Sequence, residues 1–138
     1  MPVAADTGRT NRLRYDKAAR KQRLDNNVMT LYHATDSTAA QQIRSTKKFL
    51  RGQGGASGGG IYFATSREAA LRYAHPGLGR PSVVFECKVK LGAVETNRGS
   101  YTSLQFISLQ NNGKDSIRQS PDVYVVYNYD QVEIIREV

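Results

Sequence analysis

Apolar and polar residues follow a strand-like alternation at several places along the chain, broken by short stretches of helical spacing. Val28 to His33 reads as a strand that runs on into Ala34 and Thr35. Asp36 or Ser37 then carries the side chain of a helix cap. Ala39, Ala40 and Ile43 recur at helical spacing, which predicts a helix to about Ser45. Lys47 to Gly60 predicts a loop with Phe49 and Leu50 tucked inward. Ile61 to Ala64 predicts a second strand. Thr65-Ser66-Arg67-Glu68 has the spacing of a capping box, so a helix is expected from there to Tyr73 or Ala74. Ala69, Ala70 and Tyr73 would form its apolar face. Pro76 to Pro81 is a turn-rich link. Ser82 to Leu91 reads as a long strand closed by Gly92, and Leu104 to Leu109 as a further strand-like piece. Asn111 to Lys114 is a turn signal. Val123 to Tyr127 and Val132 to Ile135 are two more strands. Many strands and few helices predict an α+β domain of mostly antiparallel sheet. No internal repeat is present.

Residues 1–27 have a different character. Arg9, Arg12, Arg14, Lys17, Arg20, Lys21 and Arg23 crowd into a span with few apolar residues. A charged helix from Asp16 to Asp25 would touch the body through Leu13, Ala18 and Leu24. The favoured expectation is a solvated, partly disordered or helical arm, followed by one domain over residues 28–138. Such an arm offers an electrostatic hold on RNA, DNA or an acidic protein. Tyr15 is the one aromatic among these charges, which does not support base stacking.

Composition changes this picture in a few places. At 138 residues and 39% hydrophobic, the chain can bury a core without metal or disulfide staples. The single Cys87 sits in an apolar run and is expected in the core; no Cys/His cluster points to zinc. A formal charge of +8 favours anionic partners. The polar N-terminus shows no secretory pattern, and no apolar stretch approaches membrane-spanning length. An intracellular monomer, cytoplasmic or nuclear, is the expectation.

The candidate chemistry lies around Gly58-Gly59-Gly60-Ile61-Tyr62-Phe63-Ala64. Upstream a strand ends in Tyr32-His33-Ala34-Thr35. Downstream Tyr73 stands eleven residues after Tyr62, and a late strand reads Tyr124-Val125-Val126-Tyr127. These four ordered motifs resemble the catalytic domain of the poly(ADP-ribose) polymerase-like, or diphtheria-toxin-like, ADP-ribosyltransferases. That family carries a His-Tyr-Glu triad on three strands. The resemblance spans about residues 28–138. It implies the ADP-ribosyltransferase fold, with two mostly antiparallel β-sheets around an NAD cleft.

The resemblance also implies roles. His33 would hold the adenosine-side ribose of NAD. Ala34 stands at a family glycine whose main-chain N–H and C=O clamp the nicotinamide carboxamide; alanine keeps both groups. Tyr62 and Tyr73 would sandwich the nicotinamide ring, a sound use of two π-faces. Gly60, Phe63 and Ala64 complete that NAD-binding motif. Thr35 would add a hydroxyl contact to ribose, and Arg51 would reach the pyrophosphate from the loop.

Two positions depart from the pattern. Val123 occupies the place of the family glutamate, which hydrogen-bonds the nicotinamide ribose and positions an acceptor for chain elongation. Valine does neither, which implies transfer of a single ADP-ribose, or a degraded module that only binds NAD, ADP-ribose or nucleic acid. Ala70 replaces a serine that donates to the carboxamide, a loss of roughly 0.5–1.5 kcal/mol of binding. Asp122 is one residue away, but strand alternation aims it to the opposite face unless a bulge intervenes. The expected activity is NAD-dependent mono-ADP-ribosyl transfer to a protein or nucleic-acid acceptor, with NAD as substrate and no metal.

Overall fold

The structure, a computed structural model, describes residues 17–49, 60–73, 83–96 and 112–138. Its backbone is organised on strand β1 (Val28–Thr35), whose central Leu31 is fully buried. β1 pairs antiparallel along its whole length with β3 (Val83–Lys90), from Val28 opposite Lys90 to Thr35 opposite Val83. β3 in turn pairs with β7 (Val132–Glu137), with a register shift at Glu86 and Cys87. On the other side of β1 lies β2 (Ile61–Ala64), which pairs residue for residue with β6 (Val123–Val126). β5 (Ser116–Ser120) lies beyond β6, and β4 (Val94–Thr96) runs parallel to β5 at the edge.

The result is α+β and mostly antiparallel, as expected, but the arrangement of strands differs from the expectation. Two sheets are expected; among the described residues there is one seven-stranded sheet, in the order β4-β5-β6-β2-β1-β3-β7. The physical reason is a narrow seam. β2 meets β1 at a single register pair, Tyr32 opposite Ala64. That one pair joins the two halves into a single sheet. β4 and β5 are strands the sequence pattern does not announce. The expected strand at Leu104 to Leu109, with Leu13, Leu50 and Arg51, lies outside the described residues.

Helix α1 (Lys17–Asp25) is docked rather than solvated along its length. Leu24 is buried. Arg20 makes two hydrogen bonds of 2.7 and 2.9 Å to Asp130. Arg23 makes two of 2.8 and 2.9 Å to Asp115, whose carboxylate also accepts from the Ala93 N–H at 2.9 Å. Ala18, expected as a contact, is exposed.

Helix α2 (Ser37–Thr46) is capped by Asp36, whose side chain accepts from the Ala39 N–H at 2.8 Å. It ends at Lys47 in the left-handed region, φ 60°, with its N–H on the Ile43 carbonyl. Ala40 and Ile43 bury against one side of the sheet, beside Leu31, Phe63, Phe85 and Val126, and Phe49 joins them. Helix α3 (Arg67–Tyr73) covers another cluster, where Ala69 and Ala70 pack on Ala64 and Val84. The sequence predicts Thr65 as its cap; the structure uses Ser66, whose hydroxyl accepts from the Ala69 N–H at 3.0 Å. Tyr73, expected on the buried face, is 53% exposed. It is the last residue of a short helix, and Leu71 packs on the cluster instead.

Candidate functional site

The three positions singled out in the sequence fall on neighbouring strands. His33 is on β1, Tyr62 on β2 and Val123 on β6, and these strands are adjacent in the sheet. The seam makes the local geometry. Beyond Tyr32, β1 has no ladder pair with β2. The His33 side chain bridges that opening: its Nδ1 lies 2.7 Å from the Tyr62 carbonyl oxygen. A carbonyl only accepts, so Nδ1 carries the proton and donates it there. In neutral His33 the other nitrogen, Nε2, therefore holds a free lone pair. The ring is wedged against Phe49 and Phe63, with centroids 4.8 and 5.6 Å away. Burial among these rings pushes the imidazole pKa below its usual 6.5, against the smaller raising effect of the Tyr62 carbonyl. The structure thus holds a neutral imidazole in one tautomer with an acceptor to spare.

Tyr62 is half-buried and packs against Ile117, Val125 and Tyr127. Gly60, just before it, is there for close packing. A Cβ at Gly60 would collide with the Val125 side chain and come within 2.9 Å of the Tyr127 ring. Phe63 and Ala64 are both buried, so their side chains serve the core that supports the motif. Ala34 lies beside Ala64 and Ala70 in the cluster under α3, and Thr35 ends β1 opposite Val83. Tyr73 presents an exposed ring with the Arg72 guanidinium 5.2 Å from its centroid.

Val123 is 5% exposed and pairs with Ala64. No bulge turns Asp122 into its place: β6 pairs with β2 in unbroken register. Asp122 is tied down outside it. Its carbonyl accepts from the Thr65 N–H at 3.0 Å, and its carboxylate accepts from the Thr65 hydroxyl at 3.3 Å and stands 4.0 Å from Arg72. The bulge in this region is on β5, opposite Val123, and it brings Ser120 there. Ser-Pro-Asp in the sequence signals only a turn, so Ser120 carries no signal of its own.

These groups do not all share a face: His33 packs with Phe49 and Phe63, and Tyr62 with Ile117, Val125 and Tyr127. His33 Nε2 can accept from a ribose hydroxyl, and Tyr62 and Tyr73 offer ring faces. Ala70 and Val123 offer no hydrogen bond. Arg51 lies outside the described residues. Among those residues no group of three or more His, Cys, Asp or Glu side chains converges as a metal site would. No helix among them is long and apolar enough to cross a membrane. In comparisons with known proteins, the chain matches no protein-family model and no curated protein.

Proposed function

We propose that this chain is an NAD-dependent mono-ADP-ribosyltransferase. The observation that carries the reading is the His33–Tyr62 pair: two motif residues from separate strands, joined by a 2.7 Å hydrogen bond at the seam of the sheet. Val123 lies on the next strand. His33 Nε2 accepts a hydrogen bond from the adenosine-side ribose. Tyr62 and Tyr73 stack on nicotinamide, and the Ala34 main chain clamps its carboxamide.

Held in this way, the bond between the anomeric carbon and the nicotinamide nitrogen breaks. Its electron pair leaves with neutral nicotinamide, and the ribose passes through an oxocarbenium-like state. Fixing both ends of the dinucleotide exposes that carbon to an acceptor oxygen, which forms the new bond. Val123 cannot polarise the acceptor, so the acceptor brings its own negative charge, as a carboxylate or terminal phosphate does. One ADP-ribose is then added, because the valine at 123 supplies no carboxylate to position a second acceptor hydroxyl.

The test is incubation of the chain with labelled NAD, with and without protein lysate and 5′-phosphorylated oligonucleotides. A label of one unit is expected, lost in Tyr62→Ala. Absence of label with retained NAD binding would favour a second reading, a binding module for NAD or ADP-ribose. Val123 and Ala70, which lack the family's hydrogen-bonding groups, are what speak for it.

A further inference from the structure

β5 and β6 pair with Ser116 opposite Val126, Ile117 opposite Val125 and Arg118 opposite Tyr124. Continued unbroken, this register would set Gln119 opposite Val123. Instead a bulge falls between Arg118 and Ser120, and Ser120 takes that place. A bulge disrupts the ladder and re-aims the side chains beyond it. Here it completes a row of cross-strand partners, Ala64, Val123 and Ser120, over β2, β6 and β5. Partners in a row share a face of the sheet, and Tyr62 projects from the same face two residues before Ala64.

The Ser120 hydroxyl is also chemically unusual. Among the described residues it is the one buried side-chain oxygen or nitrogen with no hydrogen-bond partner. Ser116, four residues earlier on the same strand, spends its hydroxyl on the Leu91 carbonyl at 2.7 Å. The buried Gln131 amide has both of its ends occupied. An unpartnered buried hydroxyl works against stability. The bulge therefore sets a hydroxyl with no partner in the fold beside Val123, the position where the family's ribose-binding carboxylate would stand.

We propose that Ser120 Oγ binds a hydroxyl of the nicotinamide-side ribose, from the strand next to Val123. This rests on the NAD-binding reading of the site. Ser120 as a residue is only partly buried, and rotation of its side chain between staggered wells turns Oγ toward a ligand. A hydroxyl donates and accepts but carries no charge. Ser120 therefore orients the ribose and does not activate an acceptor, which fits an enzyme that stops after one unit.

The experiment compares the full chain with S120A and S120T. Binding of NAD and of free nicotinamide is titrated by calorimetry or NMR, and melting temperatures are measured alongside. S120A should bind NAD about 2- to 12-fold more weakly, the range set by one neutral hydrogen bond. Its nicotinamide affinity should be unchanged, because the contact is to ribose, and its melting temperature should be no lower than wild type. S120T should restore NAD binding to within about twofold. Unchanged NAD affinity in S120A overturns the proposal and leaves the NAD reading standing. Equal losses for NAD and nicotinamide, or a fall in melting temperature with the loss, overturn it in favour of a structural role. A wild-type chain that binds neither ligand overturns the NAD reading, and this inference with it.

Discussion

Gln131 should be a costly polar residue to replace. Its side chain is 1% exposed. The amide nitrogen donates to the Lys90 and Asp115 carbonyls, each at 3.0 Å. The amide oxygen accepts from the N–H groups of Asn128 at 3.2 Å and Tyr127 at 3.4 Å. One side chain thus ties the end of β3 to the approach to β5 and to the chain leaving β6. Leucine is close in volume but takes its partner from each of those groups. A buried polar group that loses its partner costs about 1–3 kcal/mol, and three of the four bonds are of good length, so Gln131→Leu should lose about 3 kcal/mol or more. For a domain of this size that is a fall in Tm of about 10 °C. Urea unfolding followed by circular dichroism would measure it. Gln131→Glu adds a sign. A carboxyl group facing two carbonyls is held neutral, so its folded pKa rises above the ordinary value near 4.3. A protonated carboxyl has one O–H and serves only one of the two carbonyls, so the variant should keep a deficit of about 1 kcal/mol or more in acid and lose further stability as pH rises through that raised pKa. A loss below about 1 kcal/mol for the leucine variant, or a pH-independent deficit for the glutamate variant, would refute the hub.

The site and the core lend themselves to three other tests. Val123→Glu tests the proposed function by placing a glutamate where the proposed triad needs one, and buries a carboxylate beside Ala64 and Ser120; it should destabilise the fold by about 2 kcal/mol and lengthen the product on a sizing gel, and an unchanged product would place the triad in another register. Burial keeps the folded pKa of His33 below 6.5, so the unfolded chain takes up the proton first as pH falls. This contribution to stability is present above about pH 6.5 and is lost below it; NAD affinity should fall in the same direction as Nε2 becomes protonated, and an affinity that rises in acid would contradict the tautomer. Cys87 is buried and its thiol is pushed up to about 12, so it should resist alkylation at neutral pH until the chain unfolds; rapid labelling of the native protein by iodoacetamide would contradict its burial.

How far each strand is legible in the sequence depends on where its information is stored. β1, β2, β3 and β6 are apolar runs that bury one or both faces, so residue type alone marks them. β5 reads Ser-Ile-Arg-Gln-Ser and carries no such mark. It is a strand because β6 supplies backbone partners and because Ser116 finds the Leu91 carbonyl, and both depend on contacts made after the chain folds back. Gln131 carries no mark of its role in the sequence for the same reason; only the converging backbones near β3, β5 and β6 turn its amide into a hub. Tyr73 shows the reverse error. Helical spacing puts it with Ala69 and Ala70, but the helix ends there and the ring is left in solvent.

The site divides along the same line. Its candidate groups, His33, Tyr62 and the valine at position 123, are residue identities and could be read directly. Their relation is a matter of register. A single Tyr32–Ala64 pair opens the seam that lets the His33 side chain take the Tyr62 carbonyl. A single extra residue in β5 decides whether Gln119 or Ser120 faces Val123. A shift of one residue in either ladder would send a different side chain to the same face while leaving the composition of every strand unchanged. The placement of these side chains is therefore set by two local irregularities of pairing, and under the proposed function substitutions that straighten the β5 bulge should alter NAD binding even where they spare every motif residue.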